Sequence, residues 1–257
     1  MKLTVVAVNF RTSHLISSWA NSIRRCYQHP KLILIDSFSS EDELEAVREV
    51  GETLDIHIIE SENRGYGSAL NKAITFVKTD PNFSADIIMC GNLDLEFSHI
   101  PILDPQPKFV YVPKVSDGNK INLNPFLTHF QLKHFKHYKY AAYLNSSLFY
   151  FLSVTLNKVL GLVPSPIAAI HGSLFCFTPD LIDDDVMPFN EDSFLYGEEL
   201  EFASYCQWRD AIFVPSEIQV RHLGHKSTSL VISRHKDFMK YWAPSFFNWL
   251  KRWKAIP

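Results

Sequence analysis

A regular alternation of short apolar runs and amphipathic helical patterns occupies residues 1–100 and constrains the fold more than any other feature. The apolar runs lie at residues 3–8, 32–35, 55–59 and 86–90, and the helical patterns lie between them at residues 13–26, 41–50 and 66–77. Strands that alternate with helices at such spacing are typical of βαβ units, which build parallel sheets flanked by helices. The pattern therefore predicts an α/β fold with a mostly parallel sheet.

The turn after the first predicted strand contains no glycine, because residues 9–13 read NFRTS. Dinucleotide-binding folds place G-x-G-x-x-G at this turn so that the backbone can approach the pyrophosphate. The GYG at residues 65–67 follows the third strand and is a weak signal on its own. The sequence therefore excludes an NAD-type oxidoreductase.

Charge and cysteine usage narrow the class of protein further. Lysine and arginine total 25, aspartate and glutamate total 28, and the formal net charge is -3, which argues against a nucleic-acid partner. The four cysteines form no CxxC pair, as is typical of a reducing compartment. The apolar run at residues 3–8 is too short for a signal-peptide core. We therefore expect a cytoplasmic protein.

The alternating pattern changes after residue 94. Residues 124–163 are rich in Phe, Tyr, His and Lys, and the polar residues among them favour a helical insertion over a membrane span. Its part 126–152 could form an interface with another copy. A helix is predicted at residues 198–208 and strands at residues 167–177, 211–214 and 218–222. The tail, residues 229–257, has aromatic residues beside Lys and Arg, which suits either a docked C-terminal helix or contact with a membrane surface.

Polar residues follow each of the first four predicted strands. Ligands of parallel α/β sheets bind beyond the carboxyl ends of the strands, so Asn9, Asp36, residues 60–65 and the Asn92-Leu93-Asp94 segment are expected at one edge. Asp94 places a carboxylate at the mouth of a buried strand. Oxygen ligands of this kind suit a hard cation such as Mg²⁺ or Mn²⁺, although a surface turn has the same composition.

Two further groups carry candidate chemistry. The stretch 189–201 sets carboxylates among aromatic residues, and Glu198 and Glu199 begin the predicted helix. Their negative charge suits a helix N-terminus, but a carboxylate near apolar rings could instead act as a general base. His222 ends the last predicted strand and is followed by Gly224, so its imidazole could reach a metal or a phosphate.

Taken in order, these segments resemble the family 2 glycosyltransferases of the GT-A fold, in particular their rhamnosyltransferase-like bacterial branch. The resemblance covers about residues 3–228. The matching segments are residues 8–10, 35–39, 63–71, 92–94, 171–175, 189–201 and 220–227. Asn92-Leu93-Asp94 resembles the family's Asn-Pro-Asp form of the DxD motif.

The resemblance implies roles on the donor side of a site. The nucleotide-sugar-binding residues would be Asn9, Asp36, Asn63, Arg64, Gly65, Asn92 and Asp94. Asp36 would bond the base of a nucleotide-diphosphate sugar, and Asn9 and Arg64 would flank that nucleotide. Asp94 would bind the divalent metal, Mg²⁺ or Mn²⁺, with His222 as a further ligand.

The resemblance also implies roles on the acceptor side. Glu199 falls where the family places its general-base aspartate, and Gly172 falls in the acceptor-binding half. Because glutamate is one methylene longer, Glu198 or Glu191 could be the base instead. Otherwise these two residues would help to hold the acceptor.

The resemblance finally implies one GT-A domain over residues 1–257. Residues 1–100 would bind the nucleotide, residues 101–228 the acceptor, and residues 229–257 would form the tail. We expect an inverting, metal-assisted transferase that moves a sugar to a saccharide or lipid-linked acceptor in surface-polysaccharide or cell-envelope biosynthesis, at the inner face of the cell membrane. The alternatives are a degenerate GT-A domain that only binds sugars or partners, because the base position is substituted, and a nucleotidyltransferase.

Overall fold

A computed structural model describes residues 1–37, 40–117, 122–135, 159, 165–224 and 235–254 of the chain. The described residues form an eight-stranded sheet with the strand order β3-β2-β1-β4-β9-β6-β10-β5 and a two-stranded sheet of β7 and β8. The strands are β1 Leu3–Asn9, β2 Lys31–Ser37, β3 His57–Ser61, β4 Ile87–Asn92, β5 Leu95–His99, β6 Phe109–Ser116, β7 Leu127–Thr128, β8 Ile167–Ala169, β9 Leu174–Phe177 and β10 Ile212–His222.

The first four strands are parallel, as the alternating pattern predicts. β1 lies between β2 and β4, and β3 pairs with the far side of β2. Three helices connect them: α1 Ile16–Cys26, α2 Glu41–Thr53 and α3 Tyr66–Thr79. Val5 of β1 belongs to one hydrophobic cluster and Val6 to a second one, so β1 is buried on both faces. The predicted βαβ half of the fold is confirmed.

The second half of the sheet is mixed. β9 pairs antiparallel with β4 and β6, β6 pairs parallel with β10, and β5 pairs antiparallel with β10 at the sheet edge. The single strand predicted at residues 167–177 is wrong, since β8 and β9 lie in different sheets. Between them His171 N is held by Asn124 Oδ1 at 2.7 Å, and Leu174 N bonds His171 O, so the chain turns.

The two strands predicted at 211–214 and 218–222 are also wrong, because the structure has one strand there, β10. Its register against β6 shifts between Pro215 and Gln219. Proline has no N–H to give to a ladder, so the strand bulges at this point without ending.

Three further helices follow: α4 His129–Phe135, α5 Glu198–Trp208 and α6 His235–Lys254. The helix predicted at residues 198–208 is confirmed. Most of the predicted insertion, residues 136–158 and 160–163, lies outside the described residues, as do Ser39 and residues 225–234. None of the described helices is long and apolar enough to cross a membrane.

Candidate active site

Asn9 and Asp36 lie opposite each other at the carboxyl ends of neighbouring strands β1 and β2. Asn9 Nδ2 donates to Asp36 Oδ1 at 2.7 Å, and both side chains are buried. Asn9 Oδ1 accepts from Thr12 N and Thr12 Oγ1, each at 3.0 Å. Asn9 therefore ties the first βα turn to the Asp36 carboxylate and fixes the direction of that carboxylate. The two hydrogen bonds from Thr12 to Asn9 Oδ1 stabilise this turn, which contains no glycine.

A cleft opens beside these strand ends. The sequence-predicted site residues that line it are Asn63, Gly65, Asn92, Asp94, Gly172, Glu198, Glu199 and His222. Asn9 and Asp36 stand one residue before the lining residues Phe10 and Ser37. Arg64 and Glu191 line a different groove along α3. The structure thus brings most of the predicted residues together and places Arg64 and Glu191 outside the cleft.

Asp94 and His222, which both line the cleft, form a buried pair. Asp94 Oδ1 lies 3.2 Å from His222 Nε2, and Asn92 Nδ2 lies 3.3 Å from the same nitrogen. The backbone holds them together, because Leu223 N donates to Asp94 O at 2.9 Å. The two residues come from distant parts of the sequence and meet through the pairing of β5 with β10.

The Asp94–His222 pair fits a divalent cation as a partial ligand set. Carboxylate oxygen and imidazole nitrogen are accepted by Mn²⁺, and oxygen by Mg²⁺. In the described ranges there is no group of three or more His, Cys, Asp or Glu that could hold a metal ion. Phosphate oxygens and water would therefore have to complete the coordination, which is how Mg²⁺ is usually bound at phosphate-transfer sites.

His171 also lines the cleft, and sequence analysis gave it no role. Its ring centroid lies 5.9 Å from that of His222 in an edge-to-face arrangement, and its Nδ1 lies 2.8 Å from Ser173 Oγ. The turn between β8 and β9 brings His171 here. The position of His171 directly before Gly172 was the only signal in the sequence. It was missed because one continuous strand was predicted over residues 167–177, where the structure has a turn.

Glu199 lies in the first turn of α5 and faces Gly172. Glu199 Oε1 accepts from Gly172 N at 3.2 Å. A Cβ at residue 172 would lie 2.5 Å from Glu199 Oε1, so a glycine is needed for this approach. Burial raises the pKa of Glu199, while its backbone hydrogen bonds act in the opposite direction. The contact holds the longer glutamate side chain in one position.

Glu198 is the more deeply buried carboxyl, with 8% of its surface exposed. Burial, with a smaller contribution from the neighbouring Glu199 carboxyl, raises the pKa of Glu198 to about 8. Among the described residues no donor reaches Glu198 Oε1, although this oxygen is buried. Burial thus disfavours the charged form of Glu198, and Glu199, which accepts the Gly172 N–H, is the better candidate for a base.

Gly65 lines the cleft and packs against Phe194, which lies shortly before α5 in the chain. Its φ is 106°, and a Cβ there would lie 2.3 Å from Phe194 O. The next residue, Tyr66, donates its N–H to Phe194 O at 3.1 Å. Gly65 is thus required by its positive φ and by close packing.

Comparison with known proteins shows a family profile that matches part of the chain. Residues 5–102 match the profile of the family described as Glycosyl transferase family 2. No curated protein sequence matches the chain.

Solved structures are similar over nearly the whole chain. S. aureus TarS has a TM-score of 0.54 at 12% identity, with 90% of this chain and 38% of that chain covered. Mannosyltransferase PcManGT from Pyrobaculum calidifontis, in complex with GDP-Man and Mn²⁺, has a TM-score of 0.51 at 16% identity, with 91% of this chain and 58% of that chain covered. Glucosyl-3-phosphoglycerate synthase from Mycobacterium tuberculosis, in complex with Mn²⁺ and UDP, has a TM-score of 0.55 at 17% identity, with 100% of this chain and 81% of that chain covered. The chain spans less than two thirds of TarS and PcManGT.

The fold is similar to that of these glycosyltransferase structures, as expected for a GT-A fold. The likeness to the solved structures, at these identities, shows the fold alone. Over residues 5–102, the matched profile confirms the resemblance to the family 2 glycosyltransferases. The rhamnosyltransferase-like branch stays a prediction.

Proposed function

We propose that this chain transfers a sugar from a nucleotide-diphosphate sugar to an acceptor hydroxyl, with inversion at the anomeric carbon. The supporting observation is that the buried Asp94–His222 pair and the Glu199 carboxylate line one cleft at the carboxyl ends of the strands. A site for a departing diphosphate and a base for an incoming hydroxyl are the two groups that such a displacement needs.

On the donor side, Asp36 binds the nucleotide base, and Asn9 fixes its carboxylate for this contact. Asn63 and Gly65 lie along the same wall of the cleft. Asp94 and His222 would hold the divalent cation. When bound, that cation would offset the negative charge that the departing nucleoside diphosphate acquires.

On the acceptor side, Glu199 removes the proton of the attacking hydroxyl while the new glycosidic bond forms and the sugar–phosphate bond breaks. A carboxylate shifted by one methylene would ordinarily be misplaced, and such shifts cost on the order of 100-fold in rate. The 3.2 Å bond from Gly172 N to Glu199 Oε1 offers a compensation, since it holds the longer side chain back against the turn.

The acceptor is proposed to be a saccharide or a lipid-linked saccharide of surface-polysaccharide or cell-envelope biosynthesis, reached at the inner face of the membrane. Contact of α6 with the membrane would involve its exposed side, where Lys251 lies. Phe246 and Trp249 of the same helix are buried against the protein. Lys251→Glu, in vesicle co-sedimentation, should weaken binding to anionic lipid if this contact exists.

A panel of nucleotide sugars, tested with and without Mn²⁺, examines the proposed function directly. We expect release of a nucleoside diphosphate from one donor, loss of turnover in Glu199→Gln with nucleotide binding retained, and loss of Mn²⁺-dependent binding in Asp94→Ala. Glu191→Gln is the matched control, because Glu191 lies outside the cleft.

Three outcomes of this panel would contradict the proposal. Release of pyrophosphate would identify a nucleotidyltransferase. Nucleotide-sugar binding without any turnover would identify a binding module. Full activity in Glu199→Gln would remove the proposed base.

A further inference from the structure

Helix α6 contacts the loop at residues 187–197, which we call the cleft loop, at several points along its length. Ser245 Oγ donates to Leu195 O at 2.9 Å, and Asn248 Nδ2 donates to Asp192 O at 3.0 Å. Arg252 donates to the carbonyl oxygens of Pro188 and Met187. The helix therefore satisfies backbone carbonyls at the beginning, middle and end of this loop.

The opposite side of the cleft loop forms part of the cleft. Phe194, Leu195 and Tyr196 line it, and Phe194 O accepts the N–H of Tyr66. Near the start of the loop, Asn71 of α3 binds both backbone groups of Phe189, at 2.9 and 3.2 Å. The cleft loop is thus fixed between α3 on one side and α6 on the other.

The end of the cleft loop has an unusual backbone. Tyr196 has φ of 68° and Gly197 has φ of 92°, and α5 begins immediately after them at Glu198. A bulky residue with positive φ is strained and persists only where its surroundings fix it. Ser245 fixes the carbonyl of Leu195, directly before the two left-handed residues.

Helix α6 also contacts the chain on the C-terminal side of Tyr196 and Gly197. Glu201 of α5 is 2% exposed, and its Oε2 accepts from Arg252 Nη1 at 3.1 Å and from Trp253 Nε1 at 2.7 Å. Arg252 therefore binds both the cleft loop and the first turn of α5. The two left-handed residues lie between these two attachment points.

We propose that Ser245, Asn248 and Arg252 of α6 are positioning residues that set the orientation of Glu198 and Glu199 in the cleft. They act through the cleft loop and through Glu201, and they touch no part of the donor side described above. Their effect on sugar transfer rests on the proposed function, whereas their effect on the first turn of α5 does not.

Arg209 provides a matched control for Arg252. Arg209 bonds two backbone carbonyls, those of Leu181 and Asp180, and the carboxylate of Asp183. Its side chain is 23% exposed, compared with 20% for Arg252. Both guanidinium groups also lie over a neighbouring tryptophan ring. Arg209 thus makes the same kinds of contact, but with a segment that precedes the cleft loop.

Amide hydrogen exchange of the full chain tests the proposal. In Arg252→Ala we expect exchange at residues 194–201 to rise at least about tenfold, while Arg209→Ala leaves that segment unchanged. Because Arg252→Ala leaves Glu201 buried without its arginine, the double variant Ser245→Ala with Asn248→Ala is the milder test, and it should raise exchange at the same segment. Unchanged exchange at residues 194–201 in both α6 variants would overturn the proposal.

Catalysis gives the second readout. Binding of UDP or GDP with Mn²⁺, measured by calorimetry, should be the same in all three variants. Turnover on the donor that the panel identifies should fall on the order of 100-fold in the two α6 variants and stay unchanged in Arg209→Ala. An equal loss of nucleotide binding would overturn the positioning role. If the wild type transfers no sugar, the proposed function fails, and the exchange measurement still decides this inference.

Discussion

The replacement Glu198→Gln should change how the stability of the protein depends on pH. In the unfolded chain Glu198 loses its proton near its ordinary pKa of 4.5, whereas burial keeps that proton in the folded protein until about pH 8. Between these values the folded state binds more protons than the unfolded state. The free energy of unfolding of the wild type therefore falls as pH rises through this range. Glutamine has no such proton and removes this contribution.

The size of the effect follows from the shift. One pKa unit corresponds to about 1.4 kcal/mol, so the burial of Glu198 costs on the order of 4 kcal/mol by about pH 8 and close to nothing below pH 4.5. For a chain of this length we expect Glu198→Gln to melt about 10 °C above the wild type near pH 8. The two proteins should melt at similar temperatures near pH 4.5.

Thermal and urea denaturation at several pH values, in the presence of a chelator, measure this difference. Glu191→Gln is the control, because Glu191 is an exposed carboxylate outside the cleft. The reasoning is refuted if the wild type and Glu198→Gln lose stability in parallel between about pH 5 and pH 8, since Glu198 would then be ionised at neutral pH.

Three further replacements test the geometry of the site. Gly172→Ala places a Cβ 2.5 Å from Glu199 Oε1, so turnover should fall about 100-fold while nucleotide binding, measured by calorimetry, is kept. Gly65→Ala combines a φ of 106° with a Cβ 2.3 Å from Phe194 O, and urea denaturation should show a loss of about 2–4 kcal/mol. Asp36→Ala should weaken UDP or GDP binding about tenfold or more in calorimetry, and unchanged affinity would exclude its role at the base.

The first half of the fold could be predicted from the sequence because its information is local. Each parallel strand is a short apolar run, each connecting helix has its own periodicity, and neighbouring strands follow one another closely along the chain. The second half depends on distant pairings instead. β9 enters the sheet between β4 and β6, and Pro215 produces a bulge that resembles the end of a strand in the sequence.

The candidate site shows the same division. Asp36 and Asp94 could be found because each directly follows an apolar run. The contact of Glu199 with Gly172 could not be found, since it requires the turn between β8 and β9. The raised pKa of Glu198 could not be found either, because it depends on how deeply α5 is buried.

The sheet brings Asp94 and His222 together. The N–H of Leu223 is bonded to Asp94 O, and β5 is paired with β10. Preorganisation of this kind lowers the conformational entropy that the binding of a cation would cost. The affinity of the site for a cation would then depend on the chemistry of the few coordinating atoms. Exchange of one cation for another should need no rearrangement of the backbone.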